Sequence, residues 1–191
     1  PIKCVTTGTM ITLADGSQKP VENLTKTDNL LVWNFYTGQF DSAPVSFMIS
    51  HGVDEYEILT LTFEDNTIVN VSGEHGFWDI DLGKYIFLSK NNAQDYIGHK
   101  FVKEFVDDNG ERKTKSVELT GAEVKTELTN TYSPMSDKHL CVFVNGMLSV
   151  STETEGLVNY FDVVAGGLKI DEQKMQQDIL KYGLMDYQTY F

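Results

Sequence analysis

Three side chains in two short segments of the chain have the chemistry of an acyl-transfer site. Cys4 opens the segment CVTTGTMITLADG, and Ser72 and His75 lie three residues apart in VNVSGEHGFWD. A cysteine sulfur can attack a peptide carbonyl and form a thioester. When the carbonyl is the one before the cysteine, the acyl group moves from nitrogen to sulfur. This shift needs a proton for the leaving amide nitrogen and donors for the developing oxyanion.

The S-x-x-H spacing allows one loop to carry both kinds of group. We interpret His75 as the residue that hydrogen-bonds the amide nitrogen of the Lys3–Cys4 bond, and Ser72 as a donor toward its carbonyl region. Each residue also has an ordinary structural interpretation. A lone cysteine is often a buried strand residue, and a serine at the end of a strand often bonds only to local backbone.

Many short strands must position these side chains. Runs of β-branched and aromatic residues are separated by turn signals such as EDN (64–66) and DDNG (107–110), which is typical of a mainly β fold. Short helical turns or loops are predicted at 21–24 and 91–97, and a polar turn at 36–42. The strands are predicted at 11–13, 30–35, 45–50, 56–63, 67–72, 84–89, 99–106, 116–124 and 139–151.

The end of the chain has a different pattern. Asp171 can cap a helix over 171–183, and Gly183 can end it. Met175, Ile179 and Tyr182 then share one face. We therefore divide the chain into a β domain, 1–156, and a C-terminal accessory segment with one helix, 157–191. Residues 1–3 are interpreted as the stub of an upstream segment.

Composition limits the possible partners. The chain has 191 residues, 15 Lys and Arg against 28 Asp and Glu, and a net charge of −13. This charge argues against nucleic-acid binding, which needs a basic surface. No apolar run approaches the roughly 18 residues of a membrane-spanning helix. We expect a monomer. Two cysteines are too few for a disulfide framework, so the cysteine count does not indicate the cellular compartment.

Three separated blocks resemble the Hint family, the hedgehog/intein autoprocessing fold, over residues 4–151. The first block runs from Cys4 through Gly8-Thr9 and Asp15-Gly16 to 21–24, and the second is Ser72-Gly73-Glu74-His75, with Ser where the family has Thr. The third block is HLCVFVNGML, 139–148. The resemblance implies a Hint-type horseshoe of many short strands and a covalently linked upstream polypeptide. It implies a thioester at Cys4 that forms without a cofactor. His139 could lie near this site and assist the reaction.

One departure from the family decides the expected reaction. Splicing members end their last strand in His-Asn followed by Cys, Ser or Thr, whereas here Asn145-Gly146 reads as a turn and Ser149 to Thr152 follow. We therefore expect autocatalytic N-terminal cleavage, or transfer to water, a thiol or an amine, without full splicing. The alternative is an inert Hint-fold binding or structural module. In either case the larger protein would be a bacterial surface or secreted protein. An unrelated all-β structural domain is a third possibility.

The remaining reactive residue types have plainer interpretations. Cys141 is predicted to be a buried strand residue, and if it faces Cys4 the two could form a disulfide that locks the nucleophile. His51 and His99 are interpreted as isolated surface residues. His, Asp and Glu show no metal-ligand spacing, and no metal or other cofactor is expected.

Overall fold

The chain folds into many short strands. The structure, a computed structural model, describes residues 4–35, 37–45, 47–135, 139, 141–150, 161–164 and 167–170. Two 3₁₀ turns lie at Val21–Asn23 and Ala93–Tyr96. The strands are β1 Cys4–Thr6, β2 Met10–Thr12, β3 Gln18–Pro20, β4 Asn29–Asn34, β5 Gln39–Pro44, β6 Phe47–Ser50, β7 Asp54–Phe63, β8 Ile68–Ser72, β9 His75–Asp79, β10 Lys84–Leu88, β11 Lys100–Val106, β12 Arg112–Thr129, β13 Thr131–Met135, β14 Cys141–Val144, β15 Met147–Val150, β16 Phe161–Val164 and β17 Gly167–Ile170.

Thirteen of the strands that the structure describes belong to one large sheet. Its order is β3-β2-β14-β15-β9-β11-β12-β7-β8-β1-β13-β6, with β10 paired to β9. Two further pairs, β4–β5 and β16–β17, form small sheets of their own. All strand pairs are antiparallel. This architecture confirms the mainly β fold class predicted from the sequence.

The β7–β8 hairpin shows why these segments are strands. Leu59, Leu61 and Phe63 are buried at every second position of β7, while the residues between them are half-buried. This period of two is the pattern of a strand with one face in the core. The turn at 64–67 is completed by Asn66 at φ 67°, a left-handed conformation that asparagine tolerates better than most residues.

The core joins distant parts of the chain through large aromatic side chains. Phe63, Phe77, Phe101 and Phe143 are among the fully buried residues and come from β7, β9, β11 and β14. The rings of Phe63 and Phe101 lie 6.1 Å apart between centroids, close to perpendicular. Truncating such a phenylalanine to alanine typically costs about 3–5 kcal/mol, so the sheet depends on these four strands together.

The strand predictions are confirmed in most places and incomplete in others. The segment 139–151 contains two strands, β14 and β15, joined at Asn145-Gly146. The stretch predicted as a polar turn, 36–42, contains the start of β5, and β3, β9 and β13 were not predicted. In the C-terminal segment the described residues form the hairpin β16–β17, which was not predicted either. The predicted helix at 171–183 lies outside the described residues, as do residues 1–3.

In the part of the chain that the structure describes, no helix is long and apolar enough to cross a membrane.

Candidate functional site

Cys4 lies in the interior of the large sheet although it is close to the start of the sequence. It is the first residue of β1, which is flanked by β8 on one side and by β13 on the other. The Cys4 side chain is fully buried. The interpretation of Cys4 as a buried strand residue therefore holds, and it is compatible with a nucleophile that is held in a fixed position.

The structure brings Ser72 directly to Cys4. The two residues are partners in the β1–β8 pair, and the Ser72 hydroxyl donates a long hydrogen bond, 3.5 Å, to the Cys4 carbonyl oxygen. This oxygen belongs to the peptide bond after Cys4, whereas the sequence analysis assigned Ser72 to the carbonyl region before it. Ser72 is thus placed to orient the Cys4 peptide unit, one step along the chain from the Lys3 carbonyl.

His75 lies at the start of β9, three residues after Ser72. Between them the chain bends at Gly73, whose φ of 65° is a left-handed conformation that glycine adopts without strain. The His75 side chain is buried, and its ring lies 5.4 Å from the ring of Phe77 between centroids. The loop therefore places an imidazole inside the protein immediately beyond the strand that pairs with Cys4.

The position of His75 is fixed by the strand that follows Asn145. The Ser149 hydroxyl donates to the carbonyl oxygen of Gly76 at 2.7 Å, and Ser149 is fully buried. A Cβ added at Gly76 would lie 2.4 Å from Cγ1 of Val150, closer than two such atoms can approach. A side chain at position 76 would therefore require Val150 and Phe87 to shift. The sequence analysis did not identify Gly76 or Ser149.

His139 makes a contact that the sequence did not indicate. Its Nε2 lies 3.4 Å from a carboxylate oxygen of Asp41 in β5, and its side chain is buried. His139 has a φ of 66°, a strained value for a residue with a Cβ. The structure therefore brings His139 to the β4–β5 sheet, and its role in the reaction stays a prediction.

Asn145 has a clear structural task. Its side-chain oxygen accepts from the backbone N–H of Met10 at 2.8 Å, and its amide nitrogen donates to the Ile68 carbonyl at 2.7 Å. It is the first residue of the β14–β15 turn, with a φ of 47°. These contacts agree with the interpretation of Asn145-Gly146 as a turn and show Asn145 joining β2 and the start of β8 to it.

Cys141 is buried as predicted. Its sulfur accepts a hydrogen bond from the Trp33 N–H at 3.2 Å, and burial raises the pKa of the thiol to about 12. Both cysteines are thiols in the structure, so it shows no disulfide between Cys4 and Cys141. The Cys141 sulfur faces the backbone of β4.

One cluster of possible metal ligands was missed by the sequence analysis. Asp79, Asp81 and His99 each have a ligand atom within 4.8 Å of the others. His99 Nδ1 lies 2.7 Å from a carboxylate oxygen of the fully buried Asp79. The interpretation of His99 as an isolated surface residue was therefore wrong, because it is half-buried against Asp79. These three residues could hold a divalent cation. They come from segments 20 residues apart, which sequence spacing does not reveal.

Solved structures of inteins share this fold. The Ssp DnaB mini-intein variant M86 superposes with a TM-score of 0.65 at 14% sequence identity, over 81% of this chain and 98% of that one. A bacterial intein-like domain from Clostridium thermocellum gives 0.60 at 21% identity, over 78% and 99%. The DnaX mini-intein from Spirulina platensis gives 0.61 at 17%, over 76% and 98%.

The class of fold follows from these likenesses. No protein-family model and no curated protein matches the chain. At these identities the solved structures show the fold alone, and that fold is the intein-like Hint type. The resemblance found in the sequence blocks is confirmed at this level, and the catalytic roles of Cys4, Ser72, His75 and His139 stay predictions.

Proposed function

We propose that the chain is a self-processing domain that cleaves the Lys3–Cys4 bond through a thioester. The observation that carries the proposal is the pairing of Cys4 with Ser72 in adjacent strands, with the buried His75 on the loop that begins after Ser72. The thiol, the hydroxyl and the imidazole that the chemistry needs come from segments about 70 residues apart. They lie at the β1–β8 pair and at the end of the loop that follows it. The intein-like fold supports the same conclusion.

The proposed step conserves atoms and charge. The Cys4 sulfur attacks the Lys3 carbonyl carbon, a carbon–sulfur bond forms, and the carbon–nitrogen bond to Cys4 breaks. The Cys4 nitrogen gains one proton and becomes a free amine: His75 delivers this proton as the nitrogen leaves, and the proton lost by the thiol restores the protonated His75. Water then cleaves the thioester to a carboxylic acid and the thiol, or an external thiol or amine takes the acyl group.

Full splicing is not part of the proposal. Asn145 is used as a turn residue that bonds to Met10 and Ile68, and the strand after it continues through Ser149 and Val150. A side chain held by two hydrogen bonds of 2.7–2.8 Å is not available to attack its own backbone carbonyl. The first half of the reaction is therefore proposed without the second.

A reporter fused upstream of Pro1 tests the proposal. Dithiothreitol or hydroxylamine is added to the folded protein, and release of the reporter with its new C-terminus at Lys3 is measured by mass spectrometry. Release is expected from the parent chain, and no release from Cys4→Ala. His75→Ala is expected to reduce it by about 10²–10⁴-fold, the usual size of general acid–base catalysis.

Two matched variants control for loss of folding. Cys141→Ala removes the other buried thiol, and His51→Ala removes an exposed histidine. Release that persists in Cys4→Ala would sink the proposal. Absence of release from the folded parent with either nucleophile would favour the inert Hint-fold module instead.

A further inference from the structure

A cavity of about 350 Å³ opens beside the loop that joins β8 to β9. Its lining includes Gly73 and Glu74 of that loop, and its charged lining residues are Glu74, Lys90 and Glu57 of β7. Leu59 and Val124 supply apolar surface. The cavity thus adjoins the segment between Ser72 and His75, and it combines apolar surface with three charged groups.

The strand register relates this cavity to the start of β1. Val124 is opposite Leu59, Leu59 is opposite Val71, and Val71 is opposite Val5. Directly opposed residues in a sheet place their side chains on the same face. The row that ends at Val5 therefore lies on the face of the sheet that lines the cavity. The Cys4 side chain points to the other face, because successive residues alternate.

The same register identifies the lining residues that adjoin the start of β1. Residue 3 lies outside the described residues. Cys4 is opposite Ser72, and Ser72 is opposite Ile58, so the next residues along these two neighbouring segments are Gly73 and Glu57, which both line the cavity. Gly73 has no side chain to block the way. The distance from β1 across β8 to β7 is two strand spacings, about 10 Å.

Charge favours a cation at this position. The lining has two carboxylates, Glu57 and Glu74, and one ammonium, Lys90. Lys90 and Glu57 form an ion pair of 2.7 Å, but both side chains are more than half exposed, so the pair is weak and open to a second partner. Residue 3 is a lysine. Its four-carbon stem can lie along apolar surface while its ammonium reaches a carboxylate.

We propose that this cavity binds the side chain of the residue immediately upstream of Cys4, and that its carboxylates select a cationic side chain, here Lys3. The cavity then holds the upstream polypeptide in register at the bond before the thiol. The inference builds on the proposed function only in taking that bond as the reacting one. The contact itself is independent of any reaction.

Carbodiimide cross-linking of the full chain tests the contact. The reagent joins a lysine ammonium to a carboxylate that touches it, and Cys4→Ala is used so that no cleavage intervenes. Peptide mass spectrometry is expected to show Lys3 linked to Glu74 or to Glu57. The Lys90–Glu57 link, between groups 2.7 Å apart, is the internal standard in the same sample. Loss of the Lys3 links in Lys3→Gln confirms their assignment.

A charge exchange extends the test to the reaction. Lys3→Glu is expected to slow thiol-induced release of the upstream reporter about two- to fivefold, the rate equivalent of one half-exposed ion pair, and Glu74→Lys is expected to restore it in part. The Lys90–Glu57 link without any Lys3 link to Glu57 or Glu74 would overturn the inference, even if release occurs. Lys3 links without release would support the cavity and count against the proposed function.

Discussion

The Ser149 hydroxyl and the Gly76 carbonyl oxygen lie 2.7 Å apart in a hydrogen bond that is fully buried at Ser149. These residues are 73 positions apart, and Gly76 follows His75 directly. Strand β15, which carries Ser149, therefore helps to set where the imidazole of His75 lies. In the proposed reaction, a group that must meet the Cys4 amide nitrogen within hydrogen-bonding distance depends on this support.

Ser149→Ala is expected to destabilise the fold by about 1–3 kcal/mol, because the buried Gly76 carbonyl loses its side-chain donor. It is also expected to lower reporter release in protein that is still folded, and to shift the NMR signals of the His75 ring. Ser42→Ala, which removes an exposed serine of β5, is the control. A loss of stability with unshifted His75 signals and an unchanged release rate would make Ser149 a purely structural residue.

Gly76→Ala is expected to destabilise the protein by about 1–3 kcal/mol through overpacking against Val150. The same change in a Val150→Ala background should cost much less, because the clashing methyl group at 2.4 Å is then gone. Urea unfolding of the four proteins gives the coupling between the two sites. Additive effects of the two substitutions would contradict the close contact.

Asn145 offers a test of the splicing question. Asn145→Ala removes two side-chain hydrogen bonds and places alanine at a positive φ, so a loss of about 2–4 kcal/mol in unfolding free energy is expected. Asn145→Gly keeps the backbone conformation and separates the two effects. Reporter release before Cys4 should survive in either variant while it is folded. Release of the segment that begins at Gly146, lost when Asn145 is replaced, would contradict its purely structural role.

The stability of the fold depends on pH through the carboxyl group of Asp65. Partial burial of its carboxyl group would raise the pKa, but hydrogen bonds from Lys103 and Thr67 outweigh burial and lower it to about 2. The folded pKa is below the value of 3.8 taken for the unfolded chain, so this stabilisation is present above pH 3.8 and is lost as the pH falls to about 2.

We expect the Asp65 contribution to be about 1–2 kcal/mol once screening by solvent is allowed for. Unfolding free energies measured between pH 5 and pH 2 should therefore fall less steeply in Asp65→Asn than in the parent. Asp54→Asn, at an exposed position, is the comparison. Parallel curves for the parent and Asp65→Asn would show that the Lys103 contact contributes little.

Cys141 should be almost unreactive in the folded protein. With its pKa raised to about 12 by burial, roughly one thiol in 10⁴ is ionised at pH 8, and the thiolate is the reactive form. In a Cys4→Ala chain, labelling by a thiol reagent is expected to be at least 10³-fold slower under native conditions than in urea. Rapid native labelling would mean that the strand carrying Cys141 opens readily.

Local patterns in the sequence are enough to predict most strands and the turns between them. The alternation in β7 and β8 and the Asn145-Gly146 turn depend on neighbouring residues only, because side-chain period and backbone preference are local properties. For two of the strands that the sequence did not predict, the reason is physical. Half of the β5 residues are polar, and pairing with β4 outweighs their weak strand preference. In β13, Pro134 is a poor strand former, and it is held in the strand by pairing with Met48 of β6.

The reactive residues could likewise be listed from the sequence, but their contacts could not. Cys4 meets Ser72 across 68 positions and Ser149 meets Gly76 across 73, while His139 meets Asp41 and His99 meets Asp79. These contacts depend on strand order and register, which are set by how the whole core packs and not by any local preference. The sequence alone determined which side chains have the chemistry and that strands carry them. The tertiary structure decided that Ser72 bonds to the Cys4 carbonyl and that β15 supports the residue next to His75.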